Sequence, residues 1–213
     1  DDEVREFLRS FKTGTTLQRH KAAIKRYFIY KRRLWLFDSK EFIPARRRLP
    51  KYHRRELVEQ LIAVAREGHD RMFVKTLFMG GLRIAELMSL TCDSIEPNGI
   101  RLVGKGDRER IVPIADRDYM GELRAYVAGV RGKLFPGKYW DYWLLLRRLC
   151  LEAGVEMVSP HSLRHSRAVD LIQRGVSLGG LQTFLGHQDP ATTLIYTQLT
   201  QEDLARELDK AEG

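Results

Sequence analysis

Ser159-Pro160 sets the start of a helix, and the residues that follow it, His161-Ser162-Leu163-Arg164-His165, decide what that helix presents. Serine is a strong N-cap, and proline fits the first helical position, where its missing N–H costs nothing. His161 and Arg164 then fall one turn apart, at i and i+3 on one face. Helix N-termini carry unpaired N–H groups and partial positive charge, so this face suits an anion such as phosphate. Leu178 to Leu185 reads as a short helix stopped by Gly186, with His187 just beyond it. Asp189-Pro190 reads as a fresh N-cap and first position. The helix it opens carries Tyr196, with Ala191, Leu194, Ile195 and Leu199 available for packing. A His and an Arg that grip one phosphate, and a Tyr downstream that can attack it, outline phosphodiester chemistry carried out by side chains alone.

Each residue also has a plainer reading: a histidine as cap or surface residue, a tyrosine as core. His161 and His165 at i, i+4 would also fit a zinc pair. That option lacks the Glu of H-E-x-x-H and any nearby Cys or His set with ligand spacing.

Charge is distributed unevenly. Residues 1–55 hold 17 Lys and Arg against 6 Asp and Glu, whereas residues 56–213 hold 20 against 22. The excess therefore lies in the first quarter: Lys21, Lys25, Arg26, then Lys31, Arg32, Arg33, then Arg46, Arg47, Arg48, then Lys51, Arg54, Arg55. Tyr27, Phe28, Tyr30 and Trp35 are interleaved with them. This is a polyanion-binding composition, most simply for the backbone of duplex DNA, with a solvated helix face or a lipid-binding patch as the alternatives. The chain lacks an apolar run of the roughly 20 residues that span a bilayer, and it shows no signal-peptide pattern. Two cysteines, Cys92 and Cys150, argue against a disulfide scaffold and fit a reducing cytoplasm. Residue 1 is Asp, which fits a processed or trimmed chain.

With 43% hydrophobic residues, the 213-residue chain has enough for one good core and a small second module. The expected order begins with a helix from Asp2 to Phe11 and a second from Thr15/Thr16, continuing toward Leu36. Pro44 to Lys51 is an extended basic linker. Helices follow from Leu57 to Ala65, Asp70 to Met79 and, after the Gly80-Gly81 break, Leu82 to Leu90. Ile100 to Ile114 reads as a β-hairpin turning at Gly104-Lys105-Gly106-Asp107. Further helices carry Met120 to Val130, Tyr142 to Leu151 and, capped by Thr200 and Asp203, the last residues to about Lys210. The fold class is mainly α with a small β-sheet or hairpin (α+β). The segments are a basic helical piece (1–43), a basic linker (44–51) and a larger domain (52–213).

Arg83 follows the Gly-Gly break, and Lys105 lies between two glycines at the hairpin tip, with a long reach at little steric cost. Arg83, Lys105, His161, Arg164, His187 and Tyr196 form an ordered set. It resembles the tyrosine recombinase (phage integrase) family signature Arg…Lys…His-x-x-Arg…His/Trp…Tyr. The strings are Gly81-Leu-Arg-Ile-Ala-Glu-Leu87, Gly104-Lys-Gly-Asp-Arg-Glu-Arg110, His161-Ser-Leu-Arg-His165, Leu185-Gly-His187 and Thr192-Thr-Leu-Ile-Tyr-Thr197. The resemblance covers about residues 50–213 and is Xer/integrase-like.

The resemblance implies a site-specific recombinase that cuts and rejoins DNA through a 3′-phosphotyrosyl intermediate and a Holliday junction. Tyr196 would be the nucleophile, and Arg83 and Arg164 would clamp the non-bridging oxygens. Lys105 would protonate the leaving 5′-oxygen. His161 would hydrogen-bond the phosphate and help remove the tyrosine proton, and His187 would donate to a phosphate oxygen. Glu86 would buttress the site, with an ordinary helix-surface ion pair as its alternative. His165 and Asp170 are read as supports of the fold. No ATP, metal or other cofactor is expected. The expected assembly is a cytoplasmic homotetramer on two paired double-stranded DNA sites, with the helix from Gln201 to Lys210 docked on a neighbouring protomer or packed in cis. A typical member carries a four-helix DNA-clamping domain, whereas residues 1–43 offer two helices, so either that domain is reduced or more chain precedes Asp1. The rival readings are a type IB topoisomerase-like relaxing enzyme and a non-catalytic DNA-binding module on the same scaffold.

Overall fold

A computed structural model describes residues 2–10, 15–30, 50–103, 109–186 and 193–197. The chain divides into two compact units, residues 1–48 and 49–213. The first contains α1 (Asp2–Ser10) and α2 (Thr15–Tyr30). These helices pack on each other, with the Phe7 and His20 rings edge-on at 5.4 Å. On α2, Lys25 and Arg26 are exposed and Lys21 is half-buried. Arg32, Arg33, Arg46, Arg47 and Arg48, and the expected linker up to residue 49, lie outside the described residues.

The second unit runs α3 (Arg55–Val64), α4 (His69–Met79), α5 (Ile84–Ser89), a 3-10 turn (Cys92–Ser94), β1 (Ile95–Glu96), β2 (Gly99–Val103), β3 (Glu109–Pro113), α6 (Arg117–Ala128), α7 (Tyr139–Ala153), α8 (Pro160–Gln173) and α9 (Leu178–Leu185). A further helical turn covers residues 193–197. Helix α4 is central. Met72, Phe73, Val74, Leu77, Phe78 and Met79 are all buried, which exceeds what one amphipathic face would bury. It packs on α3, α6 and α8, and Phe73 stacks on Tyr142 of α7 at 4.5 Å. Each such side chain withdrawn from water contributes about 1.5–3 kcal/mol. Asp170 pins α8 to α3, accepting from Arg167 at 2.6 Å, Arg174 at 2.8 Å and Arg55 at 3.4 Å.

The sheet is antiparallel in the order β1-β2-β3. The hairpin register pairs Ile100 with Val112 and Leu102 with Arg110. Strand β1 was not anticipated. Two residues long, it is defined by pairing rather than by any pattern of its own, Ile95 opposite Ile100 and Glu96 opposite Gly99. The hairpin tip, residues 104–108, lies outside the described residues.

Candidate active site

Two glycines shape the ground on which the site is built. Gly81 ends the α4–α5 break with φ +55, the left-handed region, and a Cβ there would come within 2.9 Å of the Phe184 ring. A side-chain-free residue lets the break close onto α9 and turns the Gly81 carbonyl toward α8. Gly186, at φ +64, caps α9 in the same conformation. The positive φ disfavours any side chain at Gly186, and a Cβ there, 2.7 Å from the guanidinium carbon of Arg110, would also displace that guanidinium.

Helix α8 starts as the sequence predicts. Pro160 occupies the first turn, and the Ser159 hydroxyl accepts from the Ser162 amide at 3.0 Å. That start leaves His161 exposed and turns Arg164 inward, where the residue is only 2% exposed. The Arg164 guanidinium donates to the Gly81 carbonyl at 2.6 Å and to the Leu185 carbonyl at 2.7 Å. One side chain thus ties α8 to the α4–α5 break and to the last turn of α9. Burial, with Arg83 close by, lowers its pKa to about 10, still cationic at neutral pH.

Glu86 collects the arginines. One carboxylate oxygen accepts from the Arg83 amide at 2.9 Å, closing the first turn of α5. The other accepts from the Arg83 guanidinium at 2.8 Å and from Arg110 at 3.0 Å. Arg164 stands 3.7 Å away. Burial pushes the Glu86 carboxyl up, but the Arg83 amide, Arg110, the Arg83 side chain and Arg164 outweigh it and hold the carboxyl below its ordinary value. A helix-surface ion pair would involve one partner, whereas Glu86 faces three. A carboxylate held low stabilises the fold above the unfolded-state pKa, and that contribution is lost as pH falls through the folded value. The Glu86→Gln protein is therefore expected to lose about 1–3 kcal/mol at neutral pH. Urea denaturation should show the deficit closing as the buffer falls below the ordinary Glu value of 4.5.

Tyr196, in the helical turn 193–197, is buried, with 1% of its surface exposed. Its hydroxyl lies 2.7 Å from Nδ1 of His165. Burial pushes the phenol up to about 12, although Arg164 and Arg83 pull the other way. His161, though exposed, is pushed down by partial loss of solvent around its ring and by the same two arginines. The structure thus brings Arg83, Glu86, His161, Arg164 and Tyr196 into one electrostatic cluster. Lys105 and His187 lie outside the described residues. Lys51, expected on DNA, is exposed and pairs with Glu156 at 2.6 Å.

Two members of the cluster were not anticipated. Arg110 sits on the buried face of β3, in line with Val112, and a charged residue at that place in the alternation is a signal the sequence carries. His165, read as a support of the fold, also meets the Tyr196 hydroxyl. Its signal was its spacing, four residues after His161 on the same face of α8.

Comparison with known proteins bears on the family and the fold. The sequence profile of the phage integrase family matches residues 51–203. The tyrosine recombinase XerA of Thermococcus kodakarensis is 37% identical over 182 residues, covering 78% of this chain and 64% of that protein. The tyrosine recombinase XerD of Halalkalibacterium halodurans is 32% identical over 216 residues, covering 88% of this chain and 72% of that protein. The chain thus spans about two thirds of the length of these relatives. Among solved structures, the XerH recombinase bound to a palindromic difH substrate shares the fold with a TM-score of 0.75 at 22% identity, over 98% of this chain and 71% of that one. The mostly helical domain with its small antiparallel sheet is the fold of a tyrosine recombinase catalytic domain. The chain belongs to the phage integrase family of tyrosine recombinases.

Proposed function

We propose that this protein is a site-specific DNA recombinase that cleaves and rejoins strands through a 3′-phosphotyrosyl intermediate. The observation that carries the reading is the convergence of Arg83, His161 and Arg164 with Tyr196: the two arginines stand close enough to act on the ionisation of both the histidine and the phenol. In the reaction, the Tyr196 oxygen bonds to the scissile phosphorus and the bond to the 5′-oxygen breaks. Arg83 and Arg164 neutralise the non-bridging oxygens, and their planar forks suit the charge that builds in the transition state. His161 and His187 add hydrogen bonds, and Lys105 protonates the departing 5′-oxygen. The phosphotyrosyl ester retains the bond energy, so a 5′-hydroxyl from another strand reverses the step and completes an exchange.

The partner is duplex DNA bearing recombination sites. Residues 1–43 form its helical DNA-binding segment, and residues 44–51 track the phosphate backbone, with Lys21, Lys25, Arg26, Arg32, Arg33, Arg46, Arg47, Arg48 and Lys51 supplying charge. The working assembly is a tetramer on two sites, joined through the C-terminal segment, in the cytoplasm. Among the described residues, no helix is long and apolar enough to cross a membrane. Support for DNA as the partner comes from the recombinase relatives and from fold neighbours whose structures contain DNA, among them the Tn1549 transposon integrase with its circular intermediate. The test is a nicked duplex carrying a recombination site, whose short cleaved fragment diffuses away. The protein should become attached to the new 3′ end, and mass spectrometry should place the nucleotide on the peptide containing Tyr196. Attachment elsewhere, or none on any site-bearing duplex, would sink the reading.

A further inference from the structure

Tyr196 must lose its hydroxyl proton as it attacks, and the geometry singles out where that proton goes. The hydroxyl is 2.7 Å from Nδ1 of His165, a full hydrogen bond. The two ring planes are inclined at 49° with centroids 5.6 Å apart, so the edge of the imidazole meets the phenol. His161 stands edge-on to His165, with ring centroids 4.3 Å apart and planes at 80°. His161 is exposed where His165 is half-buried, so the two histidines of α8 face different neighbours: His161 the open side of the cluster, His165 the tyrosine.

We propose, building on the recombinase reading above, that His165 is the proton acceptor for Tyr196 and that His161 belongs to the phosphate. Before reaction, His165 is neutral with its proton on Nε2 and a lone pair on Nδ1. As the Tyr196 oxygen bonds to phosphorus, its proton moves to Nδ1, leaving His165 an imidazolium. The bond from phosphorus to the 5′-oxygen breaks, and that oxygen takes a proton from Lys105. On religation the incoming 5′-hydroxyl returns its proton to Lys105, and the imidazolium returns the other to the tyrosine oxygen. The phenol needs this help. Held at about 12, it supplies a vanishing fraction of phenolate at neutral pH by itself. His161, to which the family resemblance gives this task, is one turn away, and the two arginines that act on its charge are those expected to clamp the phosphate.

The test uses the full chain on the nicked duplex. His165→Asn retains a hydrogen-bonding group near the position of Nδ1 but cannot take a proton. It should bind the duplex as wild type does and form the adduct about 10²–10⁴-fold more slowly. A duplex with sulfur in place of the bridging 5′-oxygen separates the two proton transfers, because a thiolate leaves without protonation. Sulfur should relieve Lys105→Ala and leave His165→Asn slow. Adduct formation at the wild-type rate by His165→Asn, or its rescue by sulfur, would overturn the assignment. Should the variant not fold, ¹⁵N NMR of the wild-type histidines decides the matter: the proposal requires an unprotonated Nδ1 on His165, and a proton found there makes His165 a donor and ends the idea. Loss of the nucleophile reading would show separately, as an adduct that survives in Tyr196→Phe.

Discussion

Tyr196→Phe will bind a site-bearing duplex with the affinity and salt dependence of the wild type and form no covalent adduct. The substitution removes one oxygen from a ring that is almost wholly buried, so the packing of the 193–197 turn is retained. What disappears is the atom proposed to bond to phosphorus. The expected fall in adduct formation is on the order of 10⁶, the scale on which enzymes lose activity with their nucleophile. End-labelled nicked duplex on a denaturing gel measures it directly, with a mobility shift under native conditions as the binding control. An adduct that persists would mean another side chain attacks, and Tyr196 would revert to a core aromatic.

Arg164→Ala will damage both the fold and the chemistry, because this guanidinium holds two carbonyls as well as facing the cluster. Removing it strips the Gly81 and Leu185 carbonyls of charge-assisted donors and takes one cation away from Glu86. Breaking a buried ionic contact costs about 3–5 kcal/mol. Loss of one oxygen clamp lowers the rate of adduct formation by about 10²–10³ in the fraction that remains folded. Urea denaturation reports the first and single-turnover cleavage the second. Arg83 provides the contrast. Its side chain is 46% exposed, so Arg83→Ala should show a comparable loss of rate with little loss of stability. Equal destabilisation by the two substitutions would mean that the carbonyl contacts of Arg164 matter less than the structure implies.

Much of the catalytic unit is legible in local signals. The Ser159-Pro160 start of α8 and the Gly186 stop of α9 fall where capping chemistry puts them, because a cap needs only its own neighbours. The hairpin follows from alternation, since one buried face fixes the register. Helix α5 is shorter than its periodicity predicts: Leu82 and Leu90 are both buried but lie outside it, their burial set by tertiary packing rather than by a helical stripe. The depth of Arg164 was not legible. An arginine beside serine, leucine and histidine reads as surface, and only the approach of two carbonyls from elements 83 and 21 residues away makes burial tolerable. The role of His165 was hidden for a related reason. Helical spacing puts it on the same face as His161 but says nothing about which partner arrives opposite. Among the expected catalytic residues, Lys105 and His187 fall outside the described residues, and their roles rest on the family signature.

Glu86, placed among Arg83, Arg110 and Arg164, sets the charge balance of the guanidiniums around it. Three guanidiniums against one carboxylate leave two positive charges uncompensated in that cluster. A phosphodiester at rest brings one negative charge; attacked by a phenolate, it becomes a five-coordinate phosphorane carrying two. For the reaction proposed above, the arginine–glutamate cluster would be overcharged for the resting phosphodiester and matched in charge to the phosphorane. Attraction that is incomplete in the bound state and complete in the transition state lowers a barrier rather than deepening a well.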